Sequence, residues 1–166
     1  MVIWRQIPLL ALLTFIAGTT ARAETPEQWV ALGARLHGGF GSFIPVGIRI
    51  GEDAVQRLSA KPRELAVVFY QGEGVPCPCP IDGVMLAIGA SPGQGTAVVA
   101  AEKSPPGTFA VVVIHRRQGP DVLKYTVPMA LMAKLGEINR NIQDPLARHH
   151  AVMAIPDLFT IEPIAK

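Results

Sequence analysis

Residues 64–70 read Glu-Leu-Ala-Val-Val-Phe-Tyr. A run this short, nearly all apolar and rich in β-branched and aromatic side chains, predicts a strand buried on both faces. The covering elements lie on either side of it in the sequence. Upstream, Thr25-Pro26-Glu27-Gln28 has the form of a capping box with proline at the first helical position. Trp29, Val30, Leu32 and Leu36 then continue an apolar stripe at helical spacing. Gly38-Gly39-Phe40-Gly41-Ser42 breaks that helix, and Val46 to Leu58 mixes apolar positions with Arg49, Glu52, Asp53 and Arg57 as a second helix would.

Downstream, Gln71 to Pro80 reads as a loop, Ile81 to Ile88 as a short helix, and Ser91 to Gly95 as a turn into a strand over Thr96 to Ala101. Thr108 to Arg116 and Val122 to Val127 form a predicted hairpin through Gln118-Gly119-Pro120. Pro128 to Ile138, with Met129, Leu131, Met132 and Leu135, is predicted helical, and Asp144-Pro145 opens a shorter helix running towards His149 and His150. Helices before, between and after a few strands define an α+β class. The expectation is a single domain with a small mixed or antiparallel sheet of about four strands packed with helices.

Composition agrees with a packed domain. Of the 166 residues, 49% are hydrophobic and 17% charged, which excludes a disordered chain. Fifteen Lys and Arg stand against 13 Asp and Glu, but Arg5 and Arg22 both precede residue 24, leaving 13 cations against 13 acids in the remainder. A neutral domain lacks the net basic face that nucleic acid or an anionic membrane requires. Arg5 precedes the mostly apolar stretch from Ile7 to Ala17, and Ala21-Arg22-Ala23 has the small-x-small form of a signal-peptidase site. The expected signal peptide is 1–23, cleaved after Ala23, with a domain over 24–166 that is periplasmic or secreted. The apolar stretch is too short to span a bilayer, and no cysteine at the cleavage site offers a lipid anchor.

The two cysteines form Cys77-Pro78-Cys79-Pro80, between the predicted buried strand and a predicted helix start. A disulfide closed over one residue makes a small ring, so a structural staple is the weakest reading. Three others stand: thiols of no consequence, a redox pair in which Cys79 attacks and Cys77 resolves, or thiolate ligands for zinc or copper. The loop-to-helix junction favours the Cys79 thiolate without choosing between ligand and nucleophile. Cysteine before proline also admits a haem-thiolate site. Of the histidines, His37 either caps the first helix or turns into a pocket. His115 ends a strand beside two arginines, and adjacent His149 and His150 point in different directions and are expected at the surface. The methionines are expected in the core. No G-x-S-x-G, H-E-x-x-H or Walker loop is present.

Two blocks together resemble the E-type domain of formylmethanofuran dehydrogenase and its stand-alone relatives. The first is His37-Gly38-Gly39-Phe40-Gly41-Ser42-Phe43 followed by Gly47 and Arg49; the family has roughly H-G-H-x-C-P-G, then a glycine and an arginine. The second is Cys79-Pro80-Ile81-Asp82-Gly83-Val84-Met85 followed by Gly89-Ala90-Ser91-Pro92-Gly93-Gln94-Gly95. There the family has C-x-x-D, a small and a hydrophobic residue, Gln, then G-x-T-x-G-K-G. Phe109 to Gly119 and Tyr125 are similar to the family's strand, turn and returning strand, so the likeness runs over about residues 30 to 135. Gly39, Gly41, Met85 and Gln94 depart from it, replacing a His, a Cys, a Gln and a Lys.

The resemblance implies a groove that can bind metal, with His37, Cys79 and Asp82 carried over by position. Gly39 and Gly41 supply no side-chain donor, so Cys77, His115 or a residue the sequence does not reveal is expected to complete the set. The expected site is thus His37, Cys77, Cys79 and Asp82, holding a small ligand or a metal ion, zinc first and copper or haem as alternatives. Asp82 could orient a ligand from behind. The competing classes are a periplasmic thiol–disulfide oxidoreductase and a structural module that binds a protein partner, a second copy of the chain included. The sequence leaves catalysis itself open.

Overall fold

The computed structural model describes residues 24–164, so the expected signal peptide lies outside the described residues. The chain begins with helix α1 (Pro26–His37). The capping box closes both ways: the Thr25 side chain accepts from the Gln28 N–H, and the Gln28 side chain accepts from the Thr25 N–H at 2.7 Å. Gly38 ends the helix at φ 83°, a left-handed cap that a side-chain-bearing residue adopts only with strain. Helix α2 (Phe43–Arg57) starts three residues before the expected Val46. Pro45 hides that start: it reads as a breaker, yet it sits in the first turn, where a backbone N–H has no helical partner to lose.

Strand β1 (Leu65–Gln71) leads through a loop to helix α3 (Pro80–Ile88), and a 3-10 turn at Pro92–Gln94 enters strand β2 (Ala97–Val99). Strands β3 (Thr108–Arg116) and β4 (Val122–Pro128) form the hairpin. Pro128 closes β4 opposite Thr108 instead of opening a helix. Helices α4 (Leu131–Asn141) and α5 (Pro145–Met153) follow, the latter capped by Asp144, and strand β5 (Thr160–Ile164) completes the described chain. The sheet order is β2-β1-β3-β4-β5, with β1 and β2 parallel and the other pairs antiparallel. The class is α+β, with a five-stranded mixed sheet. β5 is the strand the sequence did not signal, because Thr-Ile-Glu-Pro-Ile is an exposed edge carrying a proline.

β1 lies inside the sheet, with Leu65, Val67 and Phe69 buried on one face, while Val68 and Tyr70 on the other are only half-buried, so the expected burial on both faces is incomplete. Val67 pairs with Ile114 and Phe69 with Val112, and across the next ladder Val112 meets Tyr125 and Ile114 meets Leu123. Residues directly opposite share a face, and this face packs on Val46, Ile50 and Ala54 of α2 and Val84 and Ile88 of α3 in one core. Trp29, Phe40, Ile44 and Ile48 form a smaller cluster under α1. The Trp29 indole N–H donates to Glu52 at 2.9 Å, and partial burial raises the pKa of that carboxyl.

Helices α2 and α3 meet at glycines. A Cβ at Gly47 would run into the carbonyl oxygen of Pro80, and one at Gly83 into the carbonyl oxygen of Ile44. Backbone on backbone is the closest approach two helices make. It fixes the first turn of α3 against α2.

Candidate functional site

That first turn carries the site. Cys79 is the N-cap residue of α3 and Asp82 lies in its first turn, while His37 is the last residue of α1. His37 Nδ1 lies 2.6 Å from Asp82 Oδ2. An ionised carboxylate only accepts, so toward it Nδ1 is the donor, and in the neutral tautomer this fixes, Nε2 is the acceptor. The two side chains are 32% and 22% exposed, so the ring remains reachable from solvent.

Cys77 and Cys79 are joined as a disulfide, with Cα atoms 5.2 Å apart. The sequence ranks this pairing lowest as a staple. Its occurrence is permitted because the chain turns from loop into helix at Cys79, which brings the two Cα atoms within the usual disulfide range of about 4.4 to 6.8 Å. The stability it adds is nonetheless small. Loop-closure entropy for so short a loop is about 1.5 kcal/mol, against about 3 for a 15-residue loop. Both cysteines are half-buried.

His37, Cys77 and Cys79 line one cavity of about 310 Å³, closed on the other side by Ser42, Phe43 and Asn139. The loop from β1 to α3 is braced there by the Gln71 side-chain amide donating to the Val75 carbonyl at 2.6 Å. Ser42 Oγ donates to the Leu135 carbonyl at 2.7 Å, and Asn139 Oδ1 accepts from the Ser42 N–H at 3.3 Å, fastening α4 to the start of α2. Arg148 of α5 donates to the carbonyls of Phe40 at 2.5 Å and Ile142 at 2.6 Å, tying the glycine-rich loop to the last helices. Sequence reasoning missed Ser42, Asn139 and Arg148. No local pattern marks them, since the contacts that close the site, Ser42 with Leu135 and Asn139 and Arg148 with Phe40, join residues about a hundred positions apart.

The remaining motif residues have other work. Arg49 donates to the carbonyls of Met153, at 3.2 Å, and Ile155, and its guanidinium stands 5.7 Å over the Phe159 ring. His115 is turned to the Arg116 carbonyl at 2.9 Å and does not line the cavity, so it cannot complete a ligand set there. His149 corrects an expectation: it is 2% exposed, with Nδ1 lacking a partner among the described residues, while His150 stays at the surface. Burial, and secondarily the His150 charge, lower the His149 pKa. A larger depression of about 450 Å³ lies among Arg63, Glu64, Arg116 and Arg117, but Arg116 is matched there by Glu64 at 3.3 Å and nearby Asp121 at 3.2 Å. Its charges hold the hairpin end to the chain before β1.

A structural zinc ion takes four donors and a catalytic one at least three. The disulfide occupies both sulfurs, and His37 and Asp82 are bonded to each other. Among the described residues no group of three or more His, Cys, Asp or Glu is gathered that could hold a metal ion. In the disulfide form the site does not fit zinc, copper or a haem thiolate.

What the residues do define is a cavity of about 310 Å³ bearing a disulfide and a carboxylate-held imidazole, on an α+β scaffold. A family model described as "FmdE, Molybdenum formylmethanofuran dehydrogenase operon" matches residues 36–150. That is more than half of the 166-residue chain, and the chain belongs to this family. No curated protein matches it as a relative. No helix among the described residues is long and apolar enough to cross a membrane.

Proposed function

We propose that this protein is an exported FmdE-family binding domain whose groove takes a small ligand. One observation carries the reading: His37, Cys77 and Cys79 converge on a cavity of about 310 Å³ walled by Phe43 and by α4, the size and mixed lining of a small-molecule site. The apolar wall favours a compact, partly apolar molecule, and the His37 imidazole and the Asn139 amide at the rim offer it hydrogen bonds. Export is supported by the Ala21-Arg22-Ala23 sequence and by cysteines placed to pair, which persist as disulfides outside the cytosol. A metal ion enters this reading only through the reduced form, in which Cys77 and Cys79 regain thiolates beside His37 and Asp82 orients the ring.

Native mass spectrometry of the protein isolated from the periplasm, beside Gly136→Leu, tests it. Gly136 lies on the α4 wall, and a leucine there fills the cavity while favouring the helix. A small-molecule adduct on the wild type that is lost in the variant is expected. Bare protein in both samples overturns the ligand reading, and protein recovered only from the cytosol, with residues 1–23 intact, overturns export. Elemental analysis after reduction, showing no ion on either redox form, removes the metal.

A further inference from the structure

We propose that Cys77–Cys79 is an exchangeable disulfide that oxidises a thiol-bearing substrate seated in the groove, with His37 handling the proton and Asp82 positioning His37. The proposal rests on the ligand reading and deepens it by giving the ligand a class, a dithiol. Four features meet at this place. The ring spans a single residue, Pro78, so as a staple it restrains almost none of the unfolded chain. Both sulfur-bearing residues are half-buried, open to attack, and line the cavity. The imidazole on the same cavity is held by Asp82 at 2.6 Å, which leaves Nε2 as a base. Cys79 caps α3, and its side chain makes no capping bond; the partial positive charge of the helix start favours its thiolate.

The exchange balances. A substrate thiol gives its proton to His37 Nε2, and its thiolate attacks Cys79 Sγ. The substrate–Cys79 bond forms as the Cys77–Cys79 bond breaks, and Cys77 leaves as a thiolate that takes the proton from His37. The substrate's second thiolate, deprotonated by the same imidazole, attacks the substrate sulfur of the mixed disulfide. That closes the substrate disulfide and releases Cys79, the thiolate the helix start stabilises, and the second proton resides on the dithiol protein. Two electrons pass from substrate to protein. A low-molecular-weight disulfide such as oxidised glutathione runs the steps backwards and restores the oxidant.

The experiment uses the full exported chain and glutathione as the probe. Reduction is followed by acid quench, alkylation and mass spectrometry across ratios of reduced to oxidised glutathione and across pH. A reversible two-electron titration is expected, with a glutathione adduct trapped on Cys79 in Cys77→Ser. His37→Gln is expected to slow reduction on the order of 100-fold near neutral pH and to remove the imidazole inflection from the pH–rate profile. Its melting temperature should match the wild type, since the exposed pair adds little to stability. Asp82→Asn should displace that inflection without abolishing it, which a merely structural role would not do. A disulfide that glutathione leaves untouched in the native protein, or identical rates and pH profiles for His37→Gln and wild type, overturns the proposal. Exchange without a copurifying adduct fails only the small-ligand reading, and an adduct without exchange fails only this one.

Discussion

The family-like motif divides into two regions that behave oppositely. Gly47, Gly83 and Arg49 are drawn inward: the glycines let α2 and α3 touch backbone to backbone, and Arg49 is fastened to carbonyls at and just past the end of α5. His37 at the end of α1 and Cys77 and Cys79 at the entry to α3 line a cavity instead, and Asp82 in the first turn of α3 holds His37. The first region carries no chemistry and tolerates no added atom. The second surrounds an open cavity and holds the disulfide and the His37 imidazole. A motif of fixed spacing is thus part scaffold and part site, and the scaffold half explains why the site half converges: α3 cannot slide on α2, so its first turn stays beside the end of α1.

Adding one methyl to the inner region is the strongest way to break this contrast. Gly47→Ala is expected to destabilise the fold by about 3 kcal/mol or more, because its Cβ meets the Pro80 backbone and no side chain can swing aside. In thermal unfolding this is a drop of roughly 10 °C. Gly51→Ala on the same helix, which meets the Ala87 methyl at 2.5 Å, should cost clearly less. Equal melting temperatures for the two variants would show that the seam is not backbone-limited.

The outer region should respond far less. Replacing both Cys77 and Cys79 by serine removes a disulfide whose short loop contributes about 1.5 kcal/mol, and the far-ultraviolet spectrum should be unchanged. Loss of folding in that variant would make the disulfide a structural staple after all. The smallest effect concerns acid. The buried His149 has a pKa below its ordinary 6.5, so the unfolded chain takes up a proton at a higher pH than the folded one. Its contribution to stability is complete above about pH 6.5 and declines as the pH falls towards the depressed folded value. Two groups act on it by charge, His150 opposing protonation and Glu27 favouring it. His149→Phe, which can still stack near Phe40, should flatten that acid limb in urea unfolding between pH 7 and 5. An unaltered limb would assign it to other groups.

Much of this contrast is legible in the chain. The capping box at Thr25, the Asp144 cap, the hairpin and the existence of the β1 strand follow from local rules that the structure obeys. These signals lie within a few residues of one another, so no distant partner is needed to interpret them. The misreadings share the opposite property. Pro45 masks the start of α2 and the Pro163 edge conceals β5, and each is tolerated only because of where it falls in the assembled fold. Adjacency on a helix turns His149 and His150 in different directions, but it does not say which one meets the core; the α1–α5 contact buries His149.

The amino-acid sequence by itself determined the class of fold, the family resemblance and the residue types available for chemistry, because periodicity, caps and spacing are local properties. The tertiary structure decided the rest: that His37 meets Asp82 across 45 positions, that His115 is excluded, and that Ser42 and Asn139 close the groove. Those pairings depend on how closely two glycine-faced helices approach. That distance is set by packing atoms from remote parts of the chain.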